Sequence, residues 1–140
     1  MSLAMSKDQR EKFLSGLHVG IVSIPREGKG PLTVPIWYDY EPGGEPWMIT
    51  GRTSIKGKLL ENGGRISLCV QTEEAPYQYV SIEGPFSISE PTAAQGLAMA
   101  VRYLGEKQGQ AYADSSGGED SSIIFSIKPE TWYTVDYNKQ

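Results

Sequence analysis

One stretch of the sequence combines hydroxyl and basic residues where a strand is predicted to give way to a helix. Residues 50–58 read TGRTSIKGK. The strand ends here, Gly51 permits a tight turn, and a short helix is predicted from about Ser54 to Glu61. The first N–H groups of a helix have no partner within it, and its dipole is positive at that end. A junction of this kind can bind an anion such as a phosphate.

The side chains of this junction suit the same chemistry. Arg52 offers a planar fork and Lys56 a point charge, both of which bind phosphate well. Thr53 or Ser54 can cap the helix or bond to a phosphate directly. The pattern is equally typical of an ordinary capped helix with solvated cations, so both interpretations stay open on the spacing alone.

A second candidate lies in the run VPIWY at residues 34–38. Pro35 removes one donor from the strand and leaves neighbouring backbone groups available to a ligand, and it restricts the strand to an edge, a bulge or the lip of a barrel. Trp37 supplies a flat apolar wall for an aromatic ring. Packing of Trp37 in the core or in a dimer interface is the alternative.

The remaining reactive residues point to no catalytic pair. His18 has no carboxylate or cysteine partner nearby in sequence and is interpreted as structural, and Cys69 in the apolar run ISLCV is interpreted as a buried, inert thiol. Glu73 and Glu74 occupy a predicted turn and are expected to be solvated. If the protein is an enzyme, a bound cofactor should therefore carry the reaction.

Aromatic residues near two later strands are weaker candidates. Tyr77 and Tyr79 alternate with Gln78 along one predicted strand, and such a face is typical of a subunit interface. Trp132 and Tyr133 are expected to fill the barrel, with Trp132 the more suitable of the two to reach a ligand.

The elements that must position these residues are mostly strands. A capping box at Ser6 and Gln9 predicts a first helix that Gly16 closes. Apolar and β-branched runs predict strands at 19–24, 32–40, 47–50, 65–71 and 77–89, and two more within 123–137. The short helix at 54–61 stops at residues 62–64, a longer helix spans 92–113, and residues 114–122 form a polar loop.

About six or seven strands in hairpin order, with only short helices, predict a mainly β fold, a small antiparallel barrel whose closure removes exposed edges. We expect a single domain over residues 6–140. Because a second methionine stands at Met5, residues 1–5 are expected to be an appended or disordered start.

Composition narrows the class of protein. The chain has 140 residues, 39% hydrophobic and 21% charged, which is typical of a globular protein. A net charge of −4 argues against nucleic acid as a partner. One cysteine and one histidine argue against a disulfide framework and a metal centre. No apolar run is long enough to cross a membrane, and the chain shows no signal-peptide pattern, so we expect a cytoplasmic protein.

The order of these motifs resembles a known family. The runs GIVSI, TVPIWYDY, WMITG, RTSIKGKLL, RISLCV and APYQYVSIEGPFSI are similar to the pyridoxamine 5'-phosphate oxidase-like, FMN-binding split β-barrel superfamily. Within it, the closer resemblance is to the deazaflavin (coenzyme F420)-dependent reductases. The similarity runs from about Phe13 to Ile88 and continues weakly to Tyr137. These motifs discriminate poorly between FMN and F420.

The resemblance implies a homodimer with a cofactor groove at the subunit interface. The phosphate would be held by Arg52, Thr53, Ser54 and Lys56. The cofactor ring would contact the backbone of Val34, Pro35, Ile36 and Trp37. The ribityl chain would be bordered by Ile49, Thr50 and Gly51. The partner subunit would approach with Tyr77, Gln78 and Tyr79.

Two departures from the family pattern stand out. Relatives commonly carry an arginine-asparagine pair after the phosphate lysine, whereas this chain has Gly57 and Lys58. Lys58 is expected to replace the charge of the arginine, and a glycine inside the helix is expected to reduce its rigidity. The long loop at 114–122 is expected to reshape the substrate side.

The function implied is transfer of a hydride from reduced F420 to a small unsaturated or conjugated substrate. The first alternative is an FMN-binding flavoprotein of the same fold. The second is a non-catalytic carrier of a cofactor, haem or another planar ligand.

Overall fold

The computed structural model describes residues 2–116 and 121–140. These residues form seven strands and four α-helices. In chain order they are α1 (Lys7–Ser15), β1 (Gly20–Arg26), β2 (Lys29–Ile36), β3 (Trp47–Gly51), α2 (Ile55–Leu60), β4 (Arg65–Gln71), β5 (Gln78–Ser89), α3 (Ala93–Leu104), α4 (Glu106–Ser116), β6 (Ser122–Ile127) and β7 (Thr131–Asp136), followed by a 3₁₀ turn (Tyr137–Lys139).

The strands form one curled antiparallel sheet, a split β-barrel. Its order is β2-β1-β4-β5-β6-β3, with β7 also paired to β5. The 12-residue β5 makes this possible, because its first half pairs with β7 and its last four residues pair with β6. A bridge between Asp39 and Trp47 links the segment after β2 to β3, so the two ends of the sheet approach each other. The predicted fold class is thereby confirmed.

Side chains alternate between the two faces of each strand, and those on the inner face form the core. Val22, Leu68 and Ile82 point inward and are fully buried, as their neighbours in the register require. Helix α1 contributes Leu14 to this core, and the hydroxyl of buried Tyr38 donates to the Leu14 carbonyl at 2.6 Å. The loop after β2 is therefore fixed to both the sheet and α1.

Several predicted boundaries are confirmed. The Ser6–Gln9 capping box begins α1 and Gly16 ends it. Ser54 caps α2, and after it Gly63 and Gly64 have positive φ angles of 69° and 102°. Of the three positions predicted for the Pro35 strand, an edge, a bulge or the lip of a barrel, the structure shows an edge, since β2 is the outermost strand of the sheet order.

The predicted helix at 92–113 is wrong as a single element. It is two helices, and Gly105 with φ 85° separates them. Helix α4 then continues through Ser116, so residues 114–116 of the predicted loop are helical. Residues 117–120 of that loop lie outside the described part of the chain.

Leu3 and Met5 form hydrogen bonds with β7. The Asp136 N–H donates to the Leu3 carbonyl at 2.8 Å, and the Met5 N–H donates to the Thr134 hydroxyl at 2.9 Å. The Met5 side chain is buried in the core. These residues lie along β7 and are part of the fold.

Candidate functional site

The first candidate segment forms a tight junction between β3 and α2. The Ser54 hydroxyl donates to the Gly51 carbonyl at 2.7 Å and accepts from the Gly57 N–H at 3.0 Å. It therefore caps the helix, as one of the two interpretations of this pattern predicted. The hydroxyl of buried Thr50 lies 3.2 Å from the Ser54 hydroxyl, so the cap is connected to the end of the strand.

Gly57 makes this junction compact rather than loose. It is buried against the turn, and a Cβ at this position would clash with the Gly51 carbonyl oxygen and lie 2.7 Å from that of Arg52. The expectation that a glycine here weakens the helix overlooked this contact. Only glycine lets α2 pack directly on the backbone that precedes it.

The basic residues of the junction differ in their surroundings. The Arg52 guanidinium forms an ion pair with Glu90 at 2.8 Å and donates to the Ser122 carbonyl at 3.2 Å. Lys56 is half-buried, whereas Thr53 and Lys58 are exposed. Within the described part of the chain no hydrogen bond or ion pair occupies the Lys56 ammonium.

The second candidate segment runs along the edge strand β2. Ile36 is buried in the core, Val34 packs against the core, and Pro35 is exposed opposite Ile21. Only one side of β2 is paired with another described strand. The backbone groups on its other edge are therefore not used by a second strand of the described sheet.

Trp37 follows β2 and is held by α3. Its ring stacks on Tyr103 with centroids 4.9 Å apart and planes 3° apart. Tyr112 of α4 lies on a second side, with centroids 6.0 Å apart and an angle of 54°. Trp37 is thus partly packed by its own chain, and the rest of its surface lines a cavity.

Sequence reasoning missed the residues that fix Trp37. The Tyr103 hydroxyl accepts from the Tyr38 N–H at 3.1 Å and lies 2.6 Å and 2.8 Å from the carbonyl oxygens of His18 and Tyr38. Arg102 donates to the carbonyls of Tyr38 and Gly16 at 3.0 Å and 2.7 Å. Their partners are backbone atoms far away in sequence, so helical periodicity alone carried no signal for them.

A cavity of about 600 Å³ lies between the α3–α4 hairpin and the strand ends of β3 and β6. This volume is within the range of small-molecule sites, roughly 300–1,000 Å³. The sheet contributes Trp37, Ile49 and Ser122, and the helices contribute the remaining walls: Leu97, Met99, Ala100, Gln110, Tyr112, Ala113 and Asp114, with Pro91, Thr92, Ala93 and Gly96 at the start of α3.

The cavity adjoins the β3–α2 junction. Ile49 is two residues before Gly51 on β3, and Ser122 accepts a hydrogen bond from Arg52. Trp37 and Ile49, which sequence analysis assigned to the ring and the ribityl chain, therefore meet at one cavity, with Arg52 beside it.

Four other candidates do not line this cavity. Tyr77 bonds to Tyr137 through the backbone, Gln78 pairs with Asp136, and Tyr79 lies 6.0 Å from the Tyr133 ring. Trp132 packs against the core, with the Arg10 guanidinium 4.4 Å from its ring centre. Their assignment to a partner-subunit or substrate side stays a prediction.

His18 and Cys69 have structural surroundings. The His18 ring stacks on Phe13 at 4.6 Å and its Nε2 lies 3.1 Å from the Phe13 carbonyl. Burial lowers the pKa of His18 below its ordinary value. Cys69 is half-buried rather than buried, on the outer face of β4 opposite Ile21, and burial raises the pKa of its thiol.

Among residues 2–116 and 121–140, no group of three His, Cys, Asp or Glu side chains is placed to hold a metal ion. Across the same residues, no helix has the length and apolar content needed to span a membrane.

Comparison with known proteins identifies the fold. No family model and no curated protein matches the sequence. Among solved structures, a conserved hypothetical protein from Mycobacterium tuberculosis matches with a TM-score of 0.81 and 21% identity, over 99% of this chain and 89% of that one. An F420 reductase matches with a TM-score of 0.73 and 18% identity, over 88% and 94%.

A pyridoxamine 5'-phosphate oxidase-type protein from Listeria innocua matches with a TM-score of 0.66 and 13% identity, over 91% of this chain and 96% of that one. The expected resemblance is therefore confirmed at the level of the fold, the pyridoxamine 5'-phosphate oxidase-like split β-barrel.

Proposed function

We propose that this protein is an oxidoreductase that binds F420 and transfers a hydride between the cofactor and a small unsaturated or conjugated substrate. The observation that carries the proposal is the meeting of Trp37 and Ile49 at a cavity beside the Arg52–Lys56 junction. When bound, F420 supplies the hydride, so the chain itself has to bind, orient and exclude water. This matches the lack of an evident nucleophile–base pair in the sequence.

Lys56 is the principal phosphate ligand in this proposal. Its ammonium is engaged by no described residue, it is half-buried, and it lies in the first turn of α2. Exposed Thr53 and the early N–H groups of α2 add donors beside it. Ser54 contributes through the helix cap, since its hydroxyl is already bonded to Gly51 and Gly57.

Arg52 binds the phosphate in this proposal by giving up its ion pair with Glu90. Its ion pair with Glu90 is exposed, with side-chain exposures of 40% and 72%. Exposed pairs of this kind are worth little, about 0–1 kcal/mol. A phosphate can therefore compete with Glu90 for the guanidinium, and Lys58 strengthens the positive potential from the exposed side of α2.

The ring of the cofactor would lie along the free edge of β2 and reach the cavity. Trp37 and Ile49 provide apolar contacts there, and the open backbone of β2 provides hydrogen-bonding groups for the polar edge of the ring. FMN also carries a phosphate on a ribityl chain and has a ring of similar size, which makes it the alternative cofactor. A carrier of a planar ligand would use the same surfaces without turnover.

We also propose a homodimer that completes the groove. The outer face of β1, β4, β5 and β7 carries small or apolar side chains in one row, with Ile21 opposite Cys69, Cys69 opposite Ser81, and Ser81 opposite Tyr133. Ile21 is 37% exposed and Tyr133 is 63% exposed. A row of partly exposed small and apolar side chains on a sheet face is typical of a subunit interface.

Replacement of the phosphate lysine tests the proposal. Lys56→Ala should weaken F420 binding at least tenfold, about 1.4 kcal/mol, because a charge-assisted phosphate contact is lost. Fluorescence titration of F420 measures the change. Lys29→Ala removes an equal charge from the start of β2 and should leave the affinity unchanged. Equal affinities of wild type and Lys56→Ala would remove Lys56 from the site.

A further inference from the structure

The cavity beneath the α3–α4 hairpin has two aromatic walls set at an angle. Trp37 and Tyr112 have their ring centres 6.0 Å apart and their planes inclined by 54°. Tyr103 covers one face of the indole and holds it in place. Aromatic rings in the wall of a cavity favour a flat apolar body or a positively charged group.

One carboxylate, that of exposed Asp114, borders the cavity. Asp114 of α4 is the sole charged side chain among the described residues that line the cavity. Gln110, one helical turn earlier, donates to the Asp114 Oδ1 at 2.8 Å and fixes the orientation of the carboxylate. The remaining lining is apolar or uncharged, with Leu97 and Met99 on α3, so among the described lining residues no cation compensates the charge of Asp114.

The charges around the cavity also favour a positively charged ligand. The chain carries a net charge of −4. Arg52, which donates to the carbonyl of the cavity residue Ser122, is also paired with Glu90, and the proposed cofactor brings a phosphate to the same junction. An anionic substrate would therefore meet repulsion from Asp114 and from the cofactor, whereas a cation would be attracted by both.

We infer that the hairpin cavity selects substrates with a planar aromatic or conjugated body and a positively charged nitrogen. The body lies against Trp37 and Tyr112, and the nitrogen donates to the Asp114 carboxylate. The inference rests on the proposed function, because it names the substrate class of that site. It assigns Asp114 and Tyr112 to specificity, a role that the sequence motifs did not reveal.

Three ligands of one shape test the inference. Protonated 1-naphthylmethylamine, 1-naphthylmethanol and 1-naphthoate share a ring system and differ in charge. Their dissociation constants are measured by calorimetry on the full chain, without cofactor and with F420 bound. The cation should bind at least tenfold more tightly than the carboxylate, with the alcohol between them.

Variants locate the preference. Asp114→Asn should weaken the binding of the cation at least fivefold and change the affinity for the alcohol less than twofold. Asp8→Asn removes the same charge from an exposed position on α1 and should leave the affinities for all three ligands unchanged. Tyr112→Phe should retain the binding of the cation, whereas Tyr112→Leu should weaken it, because only the leucine removes the aromatic face.

Equal or tighter binding of the carboxylate, an unaltered preference in Asp114→Asn, or no binding of any of the three ligands would each overturn the inference. F420 titration of the same preparations keeps the two proposals apart. Tight F420 binding without a preference for the cation contradicts the substrate class alone, whereas a wild-type chain that does not bind F420 contradicts the proposed function.

Discussion

Gly57 controls the spacing between α2 and the end of β3. Its N–H bonds to the Ser54 hydroxyl, and its missing side chain lets the helix lie on the carbonyl groups of Gly51 and Arg52. The same contact places Lys56 beside the junction. A sequence pattern predicts the cap, because Ser54 stands at the right distance from the apolar run, but a contact between two backbones has no signature in the residues.

Gly57→Ala should destabilise the protein by roughly 1–3 kcal/mol, because a methyl group there forces α2 away from the turn. Gly96→Ala is the matched control in α3, where a Cβ would meet no atom within 4 Å. It should be neutral or stabilise by up to about 1 kcal/mol, since alanine favours helix. Urea unfolding measures both variants. A Gly57→Ala protein as stable as Gly96→Ala would show that the close contact is absent.

His18 makes the stability depend on pH. Burial lowers its pKa below the ordinary value of 6.5, so the unfolded chain binds a proton more readily than the folded one. The contribution of neutral His18 to the free energy of unfolding is therefore fully present above pH 6.5. It is lost as the pH falls through the lower pKa of His18 in the folded state. Melting temperatures at pH 7.5 and pH 5 should differ more for the wild type than for His18→Gln. An equal difference in both proteins would contradict this assignment.

At the scale of the element, the α3–α4 hairpin contains one feature that the sequence predicted, the start of α3, and one that it did not, the break at Gly105. The start of α3 was predictable from Thr92 with its capping partner Gln95, and both are found in those roles. The break at Gly105 was missed because glycine is also tolerated inside a helix, as Gly96 and Gly109 show. Packing on the barrel decides between these outcomes, and it depends on residues distant in sequence.

The hydroxyl of Tyr103 connects this hairpin to the barrel. Tyr103→Phe keeps the ring on Trp37 but leaves the buried Tyr38 N–H without its partner. The cost should be about 1–3 kcal/mol, measured by urea unfolding. Tyr112→Phe removes the hydroxyl of a ring that is 52% exposed and should cost less than about 0.5 kcal/mol. Similar losses in the two variants would show that the Tyr103 hydroxyl is not a structural connection.

At the scale of the whole molecule, the strand content was predictable, whereas the strand order and the assembly of the site were not. The predicted hairpin order does not pair β1 with β4 or β3 with β6, as the structure does. Hairpin connections and Pro35 in an edge strand follow from local residue types. The cavity requires Trp37, Ile49 and Tyr112 to meet, and these belong to three elements separated by up to 75 residues of chain. Resemblance to a family indicated the first two residues, whereas Tyr112 became visible only with the hairpin in place.

The proposed dimer makes a prediction at this scale. Ser81→Arg places a charge at the middle of the outer sheet face, between Cys69 and Tyr133, and should convert a dimer into a monomer of 15.4 kDa. Ile88→Glu alters an exposed apolar residue in the part of β5 that pairs with β6, and should leave the dimer intact. Light scattering after gel filtration measures the mass. A wild-type monomer, or a Ser81→Arg dimer, would contradict this interface.

The claim that this fold binds a deazaflavin is tested most directly by titrating the cofactor-free protein with F420 and with FMN in parallel, following fluorescence and thermal stability. We predict a dissociation constant for F420 in the micromolar range or below, and weaker binding of FMN. Tighter binding of FMN would assign the protein to the flavin-binding alternative. If neither cofactor binds, the junction at Arg52–Lys56 is not a phosphate site and the proposed function is wrong.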